Sequence, residues 1–424
     1  MTINSGLRSP PSSRTPRSGA EPPRAGGRRF GRRAWALVLT AIAVAATVAL
    51  RSAGSLEVEG PDPPESSFDR LTLSSPASPR FGWHRTDFDR HSVPLSEFVP
   101  GGPGKDGIPA LDRPRFTAPS AAESILEGRE PVAVVDLAGP ARAYPLAILV
   151  WHEIVNDEVG GRPIAVTYCP LCNSTVAFDR RVGGRELEFG TTGALRNADL
   201  VMYDRQTQSW WQQLTAEAVV GELTGDRLDV LPSQILNWRT FKRLHPDGIV
   251  LSARTGYDRP YGRNPYVGYD DPRSLPPTAR SEADRTLPPK SRVATVRTGA
   301  RSAVVFPFSR LRRTAPVNAR AGGGPIVVFF DPTVTSPLDE LVVWEGRRVG
   351  AAAVFEPKVA GETVRFQRAD DAGTFRDVET GSIWDMSGRA TTGPLAGTRL
   401  KQIPHDDQFW FAIAAFFDDV EIRR

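Results

Sequence analysis

Two stretches of this chain carry the same residue pattern in the same order. Residues 155–168 begin with Val-Asn and continue through a Gly-Gly pair, a proline and an apolar run, and residues 317–330 repeat that pattern. Farther along, Asp-x-x-Thr-x-Ser-x-Trp occurs at residues 204–211 and again at residues 377–384. Because sequence similarity in a fixed order indicates one structural unit formed twice, the chain is expected to fold as two related units.

Each unit is expected to be mainly β with a few helices, which is an α+β composition. Short runs of β-branched and aromatic residues alternate with Gly, Asn and Asp, as in strands separated by turns. The predicted strands cover residues 132–137, 142–145, 164–168, 175–178, 186–189 and 200–203. The predicted helices cover residues 121–126, 146–153, 233–244 and 407–417. The expected boundaries are a first unit at residues 111–255, a linker at residues 256–284 and a second unit at residues 285–424.

The N-terminal end has the pattern of a membrane anchor. Residues 1–33 contain eight Arg and one Glu, and residues 34–50 contain no charged residue. An apolar run of this length can span a bilayer as a helix, and arginines before it place that side in the cytoplasm. We therefore expect a disordered basic cytoplasmic tail at residues 1–33 and a single transmembrane signal anchor at residues 34–50, with the body outside the cytoplasmic membrane. A cleaved signal peptide is the alternative, and residues 51–110 are expected to form a linker and an irregular lead-in.

The charge of the chain excludes one class of partner. The formal net charge is +4, but residues 1–33 carry about +7, which leaves about −3 for residues 51–424. A nucleic-acid-binding body needs a basic surface, and a mildly acidic body does not provide one. We therefore expect a membrane partner, through residues 34–50, and no nucleic acid.

The chain contains only two cysteines, Cys169 and Cys172, at Cys-x-x-Cys spacing. Such a pair is a redox couple, half of a metal site or a short structural disulfide. The repeat provides an internal comparison, because Cys169 aligns with Asp331 and Cys172 with Val334 in the second unit. Since the second unit is expected to form without thiols, the two cysteines are better explained by chemistry than by folding.

The cysteines are expected to lie in a hairpin, because predicted strands flank them on both sides. No helix is predicted after Cys172, which argues against the thioredoxin arrangement, where a helix N-terminus lowers the thiol pKa. His152 precedes the strand that leads to Cys169, and two Cys with one His suit zinc or copper as well as a redox thiol with a neighbouring base. Glu153 and Asp157 are expected to be turn or surface groups.

A dense polar and aromatic stretch occupies residues 196–212. The residues of this stretch that recur in the second unit are expected to be structural. Three that do not recur are candidates for the wall of a pocket: Arg196, Trp210 and Gln212.

Four segments together resemble a known family. They are Gly-Pro-Gly-Lys-Asp-Gly-Ile-Pro-Ala-Leu-Asp at residues 102–112, His-Glu-Ile-Val-Asn-Asp at 152–157, Tyr-Cys-Pro-Leu-Cys at 168–172 and Phe-Gly-x-x-Gly at 189–193. With these motifs, residues 95–424 resemble the bacterial and archaeal family called domain of unknown function 3179. The resemblance implies an exported or membrane-anchored protein and brings no activity with it. Asn173 stands where the family usually has Gly, a difference that removes no ligand or nucleophile.

Three functions remain open from the sequence. The leading hypothesis is thiol redox chemistry, in which one of Cys169 and Cys172 attacks as thiolate, the other resolves the intermediate, and His152 acts as base or electrostatic partner. In the alternative, the same three side chains bind Zn or Cu. The third possibility is a non-catalytic envelope scaffold with an inert disulfide. The substrate, whether protein or small molecule, does not follow from the sequence.

Overall fold

The computed structural model describes residues 82–122, 126–274, 276, 284, 286–371 and 373–424. The expected cytoplasmic tail, the expected signal anchor and residues 51–81 of the expected linker lie outside these residues. Within the described ranges, no helix is both long enough and apolar enough to cross a membrane.

The described chain is mainly β, as the sequence predicts. A lead-in of short elements comes first: a 3₁₀ helix (Leu95–Glu97), β1 (Phe98–Pro100), β2 (Leu111–Asp112), β3 (Phe116–Thr117) and α1 (Pro119–Ala122). Two halves follow, which we define as residues 131–251 and residues 292–422.

The elements of the first half are β4 (Pro131–Val135), β5 (Arg142–Pro145), α2 (Leu146–His152), β6 (Ile154–Val159), β7 (Arg162–Cys169), β8 (Ser174–Asp179), β9 (Arg181–Val182), β10 (Arg185–Glu186), β11 (Phe189–Arg196), β12 (Asp199–Asp204), β13 (Trp210–Gln212), β14 (Glu217–Val220), β15 (Val230–Leu231), β16 (Gln234–Asn237), α3 (Trp238–Leu244) and β17 (Ile249–Leu251). The elements of the second half are β18 (Arg292–Arg297), β19 (Ser302–Pro307), α4 (Phe308–Thr314), β20 (Val317–Ala321), β21 (Gly324–Asp331), β22 (Ala351–Glu356), β23 (Lys358–Val359), β24 (Glu362–Thr363), β25 (Phe366–Arg368), β26 (Thr374–Asp377), β27 (Ile383–Asp385), β28 (Ala390–Thr392), β29 (Lys401–Gln402), β30 (Asp406–Phe409), α5 (Trp410–Phe416) and β31 (Asp419–Ile422). A second 3₁₀ helix, Val343–Glu345, lies between β21 and β22.

The strands of the two halves pair in the same way. The first half has sheets ordered β16-β4-β5-β17, β15-β8-β7-β6 and β11-β12-β13-β14, and the second half has β30-β18-β19-β31, β29-β22-β21-β20 and β25-β26-β27-β28. In both halves the last strand runs parallel to the second, β17 beside β5 and β31 beside β19. The lead-in strands β1, β2 and β3 extend the three sheets of the first half. Each half therefore has the same sixteen elements in the same order.

The halves differ most at one connection. Residues 170–173 join β7 to β8 in the first half, whereas residues 332–350 join the equivalent strands β21 and β22 in the second. We call residues 169–174 the cysteine turn. Only the first half therefore has a short turn that holds two thiols.

Both halves contain the same buried polar motif at equivalent places. In the first half the Asp204 carboxylate accepts hydrogen bonds from Thr207 N at 2.6 Å, Ser209 N at 3.1 Å and Trp211 Nε1 at 3.0 Å. In the second half Asp377 accepts the equivalent backbone and indole hydrogen bonds, at 2.6 and 2.8 Å. The repeated Asp and Trp residues are therefore structural, as the sequence predicts.

Two helices begin later than their sequence pattern predicts. The segment predicted as a helix at 233–244 starts with strand β16, because residues 234–237 pair with β4. Asn237 then starts α3, since its Oδ1 accepts a hydrogen bond from Thr240 N at 2.8 Å and satisfies a backbone donor of the first turn. The helix predicted at 407–417 is shortened in the same way, because β30 pairs with β18 before α5 begins. Strand pairing overrides helical periodicity at both places.

Replacing Asn237 with Ala is expected to lower the free energy of unfolding by about 1 kcal/mol, because the first turn of α3 loses its side-chain acceptor. Asn237→Asp keeps an acceptor there and should retain most of the stability. Denaturant titration of the three proteins gives the comparison. An equal loss in both variants would show that the cap does not stabilise the helix.

The cysteine turn lies in a core to which both halves contribute. One apolar cluster includes Cys169 and Cys172 together with side chains of residues 409–417 from the second half. The backbone N–H of Phe409 donates to Cys172 O at 2.9 Å. The described part of residues 256–284 also packs here, where Tyr269 Oη donates to Leu171 O at 3.0 Å. Groups from outside the first half therefore hold the cysteine turn in place.

Candidate functional site

The cysteine turn is a tight hairpin connection. Strand β7 ends at Cys169, β8 begins at Ser174, and the two residues are paired across the turn. Asn173 has a φ of 52°, a left-handed conformation that Asn tolerates better than most residues. Its backbone N–H donates to Pro170 O at 3.2 Å and closes the turn. A strand, and not a helix, follows Cys172, so the turn lacks the helix N-terminus that lowers thiol pKa values in thioredoxin-like proteins.

Three potential ligand atoms converge beside this turn. They are Sγ of Cys169, Sγ of Cys172 and a carboxylate oxygen of Asp199, and all lie within 4.8 Å of one another. The three side chains are buried. Among the described residues this is the one group of three Cys, His, Asp or Glu side chains close enough to share an ion.

Asp199 reaches the thiols from the neighbouring sheet. It is the first residue of β12 and follows a β11–β12 turn in which Asn197 and Ala198 both have positive φ values, 50° and 63°. Ala198 O accepts from Cys172 Sγ at 3.4 Å. Asp199 Oδ2 accepts from Gln212 Nε2 at 2.6 Å and from Leu214 N at 2.9 Å. Asp199 Oδ1 is buried, and no N–H or O–H group of the described residues donates to it.

A second buried carboxyl group lies beside the cluster. Glu153 directly follows α2 with a φ of 58° and is 8% exposed. Burial, with a smaller contribution from the charge of Asp199, raises the pKa of Glu153 to about 8. The expectation that Glu153 and Asp157 are turn or surface groups is wrong in one respect, because neither is at the surface. Asp157 is buried where β6 packs beside β5, and it accepts a hydrogen bond from Arg142 at 2.5 Å.

Burial also controls the protonation of the cluster. It raises the pKa of the Cys172 thiol well above its ordinary value, raises that of Cys169, and raises the pKa of Asp199 to about 6. The neutral forms are favoured because each charged form would lose its hydration. A bound cation reverses this preference, since thiolate and carboxylate are the forms that ligate it.

A known protein family matches most of this chain. The family described as Protein of unknown function (DUF3179) matches residues 105–420. The chain belongs to this family. The match to DUF3179 covers both halves and all residues of the cluster. No curated protein and no solved structure matches the chain.

His152, which the sequence groups with the cysteines, has other partners in this DUF3179 protein. Its Nδ1 lies 2.7 Å from Pro109 O and its Nε2 lies 2.6 Å from Tyr261 Oη. Burial lowers the pKa of His152, so the ring is neutral at neutral pH. Among the described residues, a carboxylate oxygen of Asp199 lies beside the two sulfurs, and His152 is not part of this group.

The three candidate pocket residues have three different surroundings. Arg196 Nε donates to Glu97 Oε2 at 2.7 Å. Trp210 is buried against the ring of Trp83, with centroids 5.0 Å apart. Gln212 contacts the cluster through its hydrogen bond to Asp199, and Arg196 is paired with Asp199 between β11 and β12. The three residues thus differ in their partners, and the side chain of Gln212 is the one that donates to a potential ligand.

Sequence reasoning missed Asp199, although the repeat contained a signal for it. With the spacing that aligns Asp204 with Asp377, Asp199 aligns with Ala372. The absence of a counterpart in the second half is the same criterion that singled out the cysteines. Applied to acidic residues as well, it would have selected Asp199.

Proposed function

We propose that this DUF3179 protein binds one transition-metal ion through Cys169, Cys172 and Asp199. The observation that carries the proposal is Asp199 Oδ1, a buried acceptor to which no N–H or O–H group of the described residues donates, on a carboxyl group that interacts with the Cys172 thiol and is clustered with both sulfurs. Buried polar atoms are almost always satisfied. An orphan carboxylate oxygen beside two thiols therefore marks a position for a cation.

Zinc or copper fits this donor set best. Thiolates select zinc and Cu(I), and zinc also accepts carboxylate oxygen. Glu153 is not among the atoms that lie within 4.8 Å of one another, and its buried carboxyl group acts on Cys169 through its charge. The proposal keeps both cysteines of the sequence hypothesis and replaces His152 with Asp199.

We infer that the two halves arose by internal duplication and that the metal site belongs to one copy. The shared order of elements and the shared strand pairing support the duplication. The proposed ligands are confined to the first half. Aligned by the repeat, Cys169, Cys172 and Asp199 correspond to Asp331, Val334 and Ala372.

The proposed location is consistent with a metal site. The basic residues before the apolar run at 34–50 support a body outside the cytoplasmic membrane, anchored by that run. Adjacent thiols outside the cytoplasm tend to be oxidised. Metal ligation would keep Cys169 and Cys172 from forming a disulfide.

Thiol redox chemistry at Cys169 and Cys172 is the second candidate function. It is favoured by the contact between the two side chains, since a hydrogen bond from Cys172 acts to lower the pKa of Cys169. It is opposed by burial, which raises both thiol pKa values, because redox thiols usually lie in exposed or electropositive surroundings. The metal proposal therefore ranks first.

Metal analysis of the purified full-length protein tests the proposal. We expect about one zinc or copper ion per chain, as in a closed thiolate site, measured by inductively coupled plasma mass spectrometry. Cys169→Ser and Asp199→Ala should each lose most of the metal. Asp331→Asn, at the position equivalent to Cys169 in the second half, is the matched control and should retain it.

Thiol titration separates the remaining outcomes. Metal-free protein whose cysteines form a disulfide that mild reductants open would contradict the metal proposal and favour redox chemistry. Metal-free protein with a disulfide that resists reduction would favour a non-catalytic scaffold.

A further inference from the structure

A cavity of about 440 Å³ lies between the lead-in and the residues that follow the first half, and none of its lining residues belongs to the group of Cys169, Cys172 and Asp199. We call it the arginine cavity. Its wall consists of residues 111–115, which form β2 and its connection to β3, and residues from 251–256, which include the last residue of β17 and those after it. Three arginines line it: Arg113, Arg115 and Arg254. Its volume is in the range of small-molecule sites, about 300–1,000 Å³.

The arginines of this cavity are not neutralised by the protein. Within the described part of the chain, their guanidinium groups have no hydrogen-bond or ion-pair partner. The one acidic residue of the wall, Asp112, is already engaged: its Oδ2 accepts from Arg205 at 2.5 Å and its Oδ1 from Asn156 at 2.8 Å. The arginine cavity is therefore positively charged.

A cavity of about 250 Å³ in the second half provides a comparison. Its arginines are occupied, because Arg312 donates to Val349 O at 2.9 Å and Arg368 donates to Ala315 O at 3.3 Å. Two aspartates also line it. Unpartnered guanidinium groups are thus a property of the arginine cavity and not of every groove on this protein.

We propose that the arginine cavity binds a phosphate monoester. Guanidinium groups form paired, charge-assisted hydrogen bonds with phosphate oxygens. A phosphate dianion has three terminal oxygens and can accept from three guanidinium groups at once. Because the cavity is much larger than a phosphate group, the remaining space accommodates a small organic group beside the hydroxyls of Ser252 and Thr255.

A hydrogen-bonded chain fixes one wall of the cavity. Thr255 Oγ1 lies 2.5 Å from Tyr261 Oη, which lies 2.6 Å from His152 Nε2. The His152 ring is held in turn by Pro109 O. His152 is therefore a positioning residue for the cavity wall, which gives a role to the histidine that the sequence singled out.

Calorimetric titration of the full-length protein tests this proposal, with inorganic phosphate and glycerol 3-phosphate as probes and glycerol as the neutral control. We expect both phosphates to bind, glycerol 3-phosphate more tightly, and the affinity to fall as salt is added. Each guanidinium group removed should weaken binding about tenfold or more. The test variant is Arg113→Gln/Arg115→Gln/Arg254→Gln. The matched control is Arg310→Gln/Arg313→Gln/Arg320→Gln, which removes the same charge from the second half and should bind like the unmodified protein.

The proposal is overturned if the unmodified protein binds neither phosphate, or if the two triple variants lose affinity equally. Metal-loaded and metal-free protein should give the same affinities, so the result does not depend on the metal site. Vesicles of phosphatidylcholine with and without phosphatidic acid distinguish the source of the phosphate. If the unmodified protein prefers vesicles with phosphatidic acid and the test variant does not, the phosphate belongs to a lipid headgroup. If the unmodified protein binds both kinds of vesicle equally, the ligand is soluble.

Discussion

In the metal-free protein, Asp199 is expected to lower the free energy of unfolding by roughly 3 kcal/mol as the pH rises from about 4 to about 6. Asp199→Asn is expected to remove this pH dependence. Burial raises the pKa of Asp199 from 3.8 to about 6 in the folded state. Between these values the folded protein holds a proton that the unfolded chain releases. The stability is therefore fully present below the unfolded pKa and is lost as the pH rises through the folded pKa. Asn resembles the protonated acid and has no such dependence.

The difference between the two proteins reports mainly this carboxyl group, together with the smaller effect of its charge on the pKa of Glu153. Glu130, Glu153 and Asp407 also have raised pKa values and add to the fall in both proteins. His152 and His245 have lowered pKa values and act in the opposite direction. Denaturant titrations at a series of pH values, with chelator present, give the two curves. Parallel curves for the unmodified protein and Asp199→Asn would contradict the assigned pKa.

Metal should reverse this trend in the unmodified protein. Its proposed ligands bind the ion only when deprotonated, so stabilisation by zinc should increase with pH. Asp199→Asn should show little of that increase. A stabilisation by zinc that is independent of pH would place the ion elsewhere.

Replacing Asp204 with Ala is expected to lower the free energy of unfolding by about 3 kcal/mol or more. The carboxylate is fully buried, and it accepts from two backbone N–H groups and the indole of Trp211. Alanine would leave these donors buried without a partner, at about 1–3 kcal/mol each. Denaturant unfolding followed by tryptophan fluorescence measures the loss.

The repeat supplies a second measurement of the same motif. Asp377→Ala, at the equivalent position of the second half, should show a loss of similar size because its carboxylate has the same kind of donors. Asp226→Ala, at an exposed position of the first half, should change stability by less than about 0.5 kcal/mol. A loss at Asp204 as small as that at Asp226 would show that the motif is not stabilising.

The sequence was most informative where local patterns and tertiary structure agree. The strands predicted at 164–168 and 175–178 are confirmed as parts of β7 and β8, because the apolar runs and the turn residues between them both favour a hairpin there. Helix 146–153 is confirmed to within one residue by α2. The starts of the helices predicted at 233 and 407 are wrong, since pairing with a distant strand is not visible in local periodicity.

The candidate site was only partly predictable, for a related reason. The two cysteines follow from their spacing and from the repeat. Asp199 reaches them through the β11–β12 turn at Asn197 and Ala198, where two successive left-handed residues redirect the chain. His152 is near the cysteines in sequence, yet its ring nitrogens face Pro109 and Tyr261 instead. Proximity along the chain was therefore a poor guide to proximity in space.

The hydrogen bond from Phe409 N to Cys172 O has a consequence for the descent of this protein. The half that carries no proposed ligand supplies part of the frame in which the ligands are held. Under the proposed duplication, the proposed ligands belong to one half, and part of the geometry that holds them belongs to the other. The second half is therefore constrained by the site, because a substitution there can disrupt the site although the second half contributes no side chain to it.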